Sequence, residues 1–283
     1  QNVLRGQVAE IALNALHSAE GSAIGHRSLG CESPMATATS PLSVAGKQRQ
    51  FLTYTPDPYS GETPHGLIVA MHGRTNSNAM VQGYMGLEGK RQWRNGRWQS
   101  NDQDDYLVVY PAGLSNGNGT YSWSQEENIE FFDKLVRAMA DSYCLDRRRL
   151  FVVGHSLGGY FANKVACLRG DVLRGKGVVG STPYSADCTG PVASLVFQHP
   201  DDGLVRSSNG DVVKGNLLTR NFCSWQAQPT TVREYSCEAS QDCREGNPVV
   251  LCTEFSTYGG DPHSWPHDAG NSFIEFFDEL SQS

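Results

Sequence analysis

Short apolar runs alternate along most of this chain with segments whose apolar residues recur at helical spacing. "QFLTYT" (50–55), "GLIVAMHG" (66–73), "DYLVVYPAG" (105–113), "RLFVVG" (149–154), "GKGVVGST" (175–182), "VASLVFQH" (192–199) and "PVVLCTEFST" (248–257) each read as a strand. Between and after them come helical patterns. "ENIEFFDKLVRAMADSYC" (127–144) sets Ile129, Phe132, Val136 and Met139 on one face; "SLGGYFANKVACL" (156–168) and "NSFIEFFDEL" (271–280) read as two more helices. Strands that are apolar throughout belong to sheets covered on both faces. Their alternation with helices predicts an α/β fold with a mostly parallel central sheet and helices on both sides. Ligands of such sheets bind at the carboxyl ends of the strands, so chemistry is expected there.

Residues 1–50 read as an amino-terminal extension. Leu4, Val8, Ile11 and Ala15 suit an amphipathic helix, and the Gly, Ser, Thr and Pro of 21–46 suit a loop. Residues 51–283 then form a single domain, a length ordinary for an α/β fold with insertions. No apolar run approaches the roughly 20 residues of a membrane span. The chain starts with Gln rather than Met, which leads us to expect a trimmed form whose targeting signal has gone. With 39% apolar and 19% charged residues it is globular in composition, and its net charge of −7 disfavours nucleic acid and anionic membranes as partners. The eight cysteines form no CxxC pair, and four of them fall within 223–252. An even, clustered set predicts disulfides and an oxidising, secreted or periplasmic setting.

"GHSLGGY" (154–160) follows directly on an apolar strand and opens a helical pattern. Gly154-His155-Ser156-Leu157-Gly158 fits G-x-S-x-G, in which a sharp strand-to-helix turn exposes a serine hydroxyl. Such a hydroxyl needs a base to take its proton. His155 lies on the turn itself and cannot fold back onto Ser156. His263, in "GGDPHSWPHDAG" between the last strand and the closing helix, occupies the place that the order Ser…Asp/Glu…His requires; His267 reads better as the start of that helix. The orienting carboxylate should lie between them at a strand end, where "SLVFQHPDDGLV" offers Asp201 and Asp202. One can be catalytic while the other serves the turn. Two N–H donors are needed for the oxyanion: Leu157, after the nucleophile, and Arg74, after the strand ending in "MHGR". His199, His263 and His267 follow no metal-binding spacing, and no metal is expected. "GKRQWRNGRWQ" (89–99) is a basic-aromatic stretch, read as a solvated insertion or a surface that grips a sugar chain or acidic group.

With these pieces placed, residues 50–283 resemble the esterase/polyhydroxybutyrate-depolymerase family, close to carbohydrate esterase family 1 with its feruloyl and acetylxylan esterases. "MHGR" is similar to that family's oxyanion strand end, "VVYPAG" with Trp123 to its next segment, "GHSLGGY" to its serine elbow and "GGDPHSWP" to its His-x-Trp-Pro base motif. The family's acid motif, His-Gly-x-x-Asp-x-x-Val, aligns through its valine with Val205 and so places the acid at Asp202, although Pro200 stands for the glycine and the His-to-Asp spacing is one residue shorter. The resemblance implies an α/β-hydrolase fold without a cofactor. It also implies a secreted or periplasmic serine esterase acting on polysaccharide-linked esters of feruloyl or acetyl type. The alternatives are a polyester depolymerase and a catalytically silent hydrolase fold used for binding. Trp265, Trp123 and His155 are then candidates to line the substrate pocket.

Overall fold

The computed structural model describes residues 26–31, 38–56, 59–88, 92–94, 97–99 and 106–282. The helix expected near the amino terminus lies outside them. Nine strands make the main sheet: β1 (Phe51–Tyr54), β2 (His65–Met71), β3 (Tyr106–Pro111), β4 (Leu145–His155), β5 (Gly175–Val179), β6 (Ala193–Phe197), β7 (Ala227–Val232), β8 (Tyr235–Ser240) and β9 (Val249–Glu254). Their order across the sheet is β7-β8-β9-β6-β5-β4-β2-β3-β1. From β9 to β3 every neighbouring pair is parallel. β1 joins β3 antiparallel at one edge, and the β7–β8 hairpin joins β9 antiparallel at the other.

Helices α1 (Asn78–Tyr84), α2 (Glu127–Ser142), α3 (Leu157–Leu168), α4 (Ser207–Arg220) and α5 (Ala269–Gln282) cover the two faces. The strand period of two explains why the parallel strands are apolar throughout. Leu67 and Val69 of β2 and Val152 of β4 point into one core with Phe132 and Val136 of α2, Phe161 and Val165 of α3 and Leu217 of α4. Their neighbours Ile68, Ala70, Phe151 and Val153 point into the opposite core with Val81 of α1 and Phe273 and Phe277 of α5.

Besides α1, three elements depart from the sequence reading. The loop expected over 21–46 ends in a hairpin, Leu42–Val44 with Lys47–Arg49, turned by Ala45 and Gly46 at positive φ. It packs through fully buried Val44, and the Arg49 guanidinium lies 4.1 Å over the Phe131 ring and donates to Asn128 Oδ1. Helix α4 buries only Gly210, Val213, Leu217 and Leu218, too sparse a stripe to read as a helix. The β7–β8 hairpin is largely polar and exposed, as an edge allows, and β7 carries Pro229.

The cysteines expected to pair do so, as Cys31–Cys144, Cys167–Cys188, Cys223–Cys243 and Cys237–Cys252. Cys237–Cys252 staples the β7–β8 hairpin to β9 through β8. Cys31–Cys144 spans 113 residues and ties the segment before the sheet to the end of α2. Closing so long a loop constrains the unfolded chain most, by about 4–5 kcal/mol in the chain-entropy account. Cys31→Ser/Cys144→Ser should therefore lower the melting temperature more than Cys237→Ser/Cys252→Ser, whose loop spans 15 residues. Calorimetry of the two variants checks the order; an equal or reversed loss would refute it.

Candidate active site

β4 ends at His155 and α3 begins at Leu157, so Ser156 makes the whole turn between them. Its backbone sits at φ 56, ψ −120, a region a non-glycine residue enters only when its surroundings force it. The force comes from packing. A Cβ on Gly154 would lie 2.3 Å from Gly158 O, and one on Gly158 would lie 2.2 Å from Met71 O. Only glycines let α3 approach β4 and β2 closely enough to fold the turn this tightly.

Ser156 Oγ lies 2.9 Å from His263 Nε2, and His263 Nδ1 lies 2.7 Å from Asp202 Oδ2. Three strand-end segments meet here: the β4–α3 elbow, the turn after β6 and the loop between β9 and α5. The Asp202 side chain has no solvent exposure. Its other oxygen, Oδ1, accepts from Leu204 N at 2.9 Å and Val205 N at 2.8 Å, which fixes the carboxylate. A carboxylate only accepts, so Nδ1 carries the imidazole proton and the Nε2 lone pair faces the serine hydroxyl. That arrangement can take a proton from Ser156 and hold the resulting imidazolium against a buried negative charge. The neighbouring aspartate is exposed, and Asp201 N donates to His199 Nδ1 within the turn. His267 lies apart from the serine, with Nε2 against Thr257 O and its ring against Tyr258.

The two amides expected at the oxyanion are placed by different devices. Leu157 is the first residue of α3, where N–H groups have no intrahelical acceptor and the helix dipole is positive. Arg74 follows β2, and His72 governs its orientation. His72 Nδ1 donates to Gly73 O at 2.8 Å, while its Nε2 accepts from Gly113 N at 2.8 Å. Only a neutral ring can do both, and burial lowers its pKa to about 4. Holding the Gly73 carbonyl fixes the plane of the Gly73–Arg74 peptide, and with it the Arg74 N–H. Tyr121 N donates to Arg74 O from the other side.

The three residues expected to line a substrate pocket are instead buried supports. Trp123 has no exposed surface: its ring stacks on Phe161 and Nε1 donates to His72 O at 2.9 Å. Trp265 is 2% exposed and packs among Tyr84, His155 and Phe273. Large aromatic surface is more stable in the core, and the indole N–H of Trp123 finds its acceptor there. His155 is buried too. Its Nε2 lies 2.8 Å from His263 O, so Nε2 must donate, and Nδ1 accepts from Tyr84 OH at 2.8 Å. Burial lowers its pKa to about 4 and keeps it neutral. His155 and Tyr84 thus pin the backbone of the loop that carries His263. Tyr84 escaped sequence reading because α1 buries only Val81 and shows no helical stripe. In the basic-aromatic stretch, Gln92–Arg94 pairs with Arg97–Gln99 as a short hairpin, and its side chains lie outside the described residues.

A serine elbow at the carboxyl end of a parallel sheet covered on both faces gives the chain an α/β-hydrolase fold. Known proteins carry the assignment one step further. Feruloyl esterase D of Neurospora crassa is 26% identical over 239 residues, covering 81% of this chain and 79% of that protein. Feruloyl esterase C of Emericella nidulans is 24% identical over 272 residues, covering 89% and 92%. Among solved structures, an acetyl xylan esterase from Aspergillus awamori superposes with a TM-score of 0.59 at 14% identity, over 81% of this chain and 94% of that one. A CE1 ferulic acid esterase from Anaeromyces mucronatus, solved with ferulic acid, gives 0.52 at 14% identity, over 84% and 87%. No protein-family model matches the chain. The protein is a carboxylic-ester hydrolase with an α/β-hydrolase fold.

Proposed function

We propose that this protein is a secreted serine esterase that cleaves feruloyl- or acetyl-type esters carried on polysaccharide. The observation that carries the mechanism is the chain of hydrogen bonds from Ser156 Oγ through His263 to Asp202, 2.9 and 2.7 Å long. In this reading Ser156 Oγ attacks the ester carbonyl carbon while its proton passes to His263 Nε2. The Arg74 and Leu157 amides hold the negative oxygen of the tetrahedral intermediate. The intermediate collapses, the alcohol oxygen leaves with the proton from His263, and the acid remains bonded to Ser156. Water then attacks the acyl group, gives one proton to His263, and the carboxylic acid is released as that proton returns to Ser156. Asp202 holds the tautomer and offsets the imidazolium charge throughout.

The curated relatives named feruloyl esterases support the aromatic acyl group, and the acetyl xylan esterase neighbour supports the polysaccharide alcohol. Four disulfides suit an oxidising compartment and so support secretion. The catalytic domain in this reading is 51–283, with residues 1–50 as an extension whose hairpin at 42–49 packs on α2. Hydrolysis of methyl ferulate, acetylated xylan, p-nitrophenyl acetate and a hydroxybutyrate oligomer tests the reading. Methyl ferulate or acetylated xylan should be cleaved with the highest kcat/KM. Preference for the oligomer would make the protein a polyester depolymerase. Failure to cleave any of the four would leave a silent hydrolase fold.

A further inference from the structure

Behind the elbow helix, between the sheet, α3 and α4, the fold holds a buried lysine and a half-buried arginine that make no ion pair among the described residues. Lys176 is 2% exposed. It sits in β5 beside Val152 of β4 and Ser194 of β6, on the face covered by α3 and α4. Its ammonium donates to Asn163 Oδ1 of α3, which leaves it two further protons. Arg220, at the end of α4, has Nη1 buried without a hydrogen-bond partner among the described residues. Lys176, Arg220, Asn163, Asn216 and Tyr184 face one small cavity. It has room for the centre of about one water-sized sphere (about 10 Å³). At its margin the Lys164 ammonium lies 5.7 Å from the centre of the Tyr184 ring and adds positive charge.

We propose that this cavity is a site for a small monatomic anion of the halide class, held between Lys176 Nζ and Arg220 Nη1. A buried charge is tolerated when it is paired, and an unsatisfied guanidinium N–H is costly. One halide answers both needs at once: it accepts from the two donors and separates two like charges. Water can accept a hydrogen bond but brings no countercharge. Room for about one water-sized sphere favours a monatomic anion over phosphate or sulfate. Burial first, and then Arg220, push the lysine well below its ordinary pKa, so an empty cavity favours neutral lysine and a bound anion favours the charged form. The site is also joined to the fold around it. The Asn163 amide that accepts from the lysine through Oδ1 donates through Nδ2 to Ser181 Oγ and Thr182 O, which secures the loop after β5. The inference concerns neither the triad nor the ester and stands apart from the esterase reading.

Thermal unfolding of the full chain tests it, with chloride exchanged for gluconate at fixed ionic strength. Gluconate is too large for the cavity. Wild type should gain about 2–4 °C in Tm for each tenfold rise in chloride above its dissociation constant. Arg220→Gln should lose most of that gain, as should Lys176→Met, and either variant suffices if the other does not fold. Crystals soaked in bromide should show an anomalous peak between Lys176 and Arg220. Equal Tm in chloride and gluconate, or a chloride effect that persists in the variants, would overturn the proposal. So would a cavity without bromide: the lysine would then be neutral and the occupant water.

Discussion

Ser156→Ala should lower kcat by about 10⁴–10⁶-fold on whichever ester the wild type prefers, with the fold unchanged. Removing the nucleophile also removes the covalent intermediate. The residual rate must then come from substrate binding and the two oxyanion amides, which in serine hydrolases leave roughly 10³–10⁴ over water. Stability should hold because the Ser156 hydroxyl is bonded, among the described residues, only to His263, and alanine meets the same backbone demand at φ 56 that serine does. Circular dichroism and a melting curve verify the fold, and initial rates under saturating substrate give kcat. A variant within tenfold of wild type would show that another group attacks the ester. His263→Ala should be as damaging, and the double variant scarcely worse than either single one, because residues acting as a unit do not contribute additively.

How far the site could be read from sequence depended on whether its residues carry a local pattern. Ser156 and His263 were legible because each sits in a short motif bound to a strand end, and the structure brings their side chains within hydrogen-bonding distance. The parallel strands were legible because burial on both faces makes them apolar throughout. Residues whose work is done across the fold left no such trace. Tyr84 reaches His155 from a helix with a single buried side chain, and a sequence cannot show that contact between residues 71 positions apart. The tryptophans were visible, but not their direction: Trp265 beside the base motif and Trp123 on a loop at the same sheet edge suggested a pocket wall, whereas both rings are core. Helix α4 was hidden by Gly210 and Gly215 and by its short apolar stripe. Lys176 was hidden in plain view, since "GKGVVGST" reads as a strand whether or not its lysine is buried.

Asp202→Asn should lower kcat by about 10⁴-fold while Asp201→Asn changes it by less than about twofold, although the two residues are adjacent. The sequence left both open as the acid; their environments differ completely. Asp201 is exposed and uses its backbone for the turn, so its carboxylate meets water in either form. Asp202 is enclosed, with Oδ1 taken by the Leu204 and Val205 amides and Oδ2 turned to His263. An asparagine in that cage keeps its oxygen on the two amides, because an NH₂ cannot accept from them. Its NH₂ then faces His263 Nδ1, which must accept rather than donate. The ring proton moves to Nε2, and the position that should take the serine proton is already filled. KM should change little in Asp202→Asn, since that carboxylate has no solvent exposure to offer a substrate. Paired measurements of kcat and KM on the two variants decide the matter. An equal loss from both, or a mild effect of Asp202→Asn, would mean that His263 takes its orientation from another group.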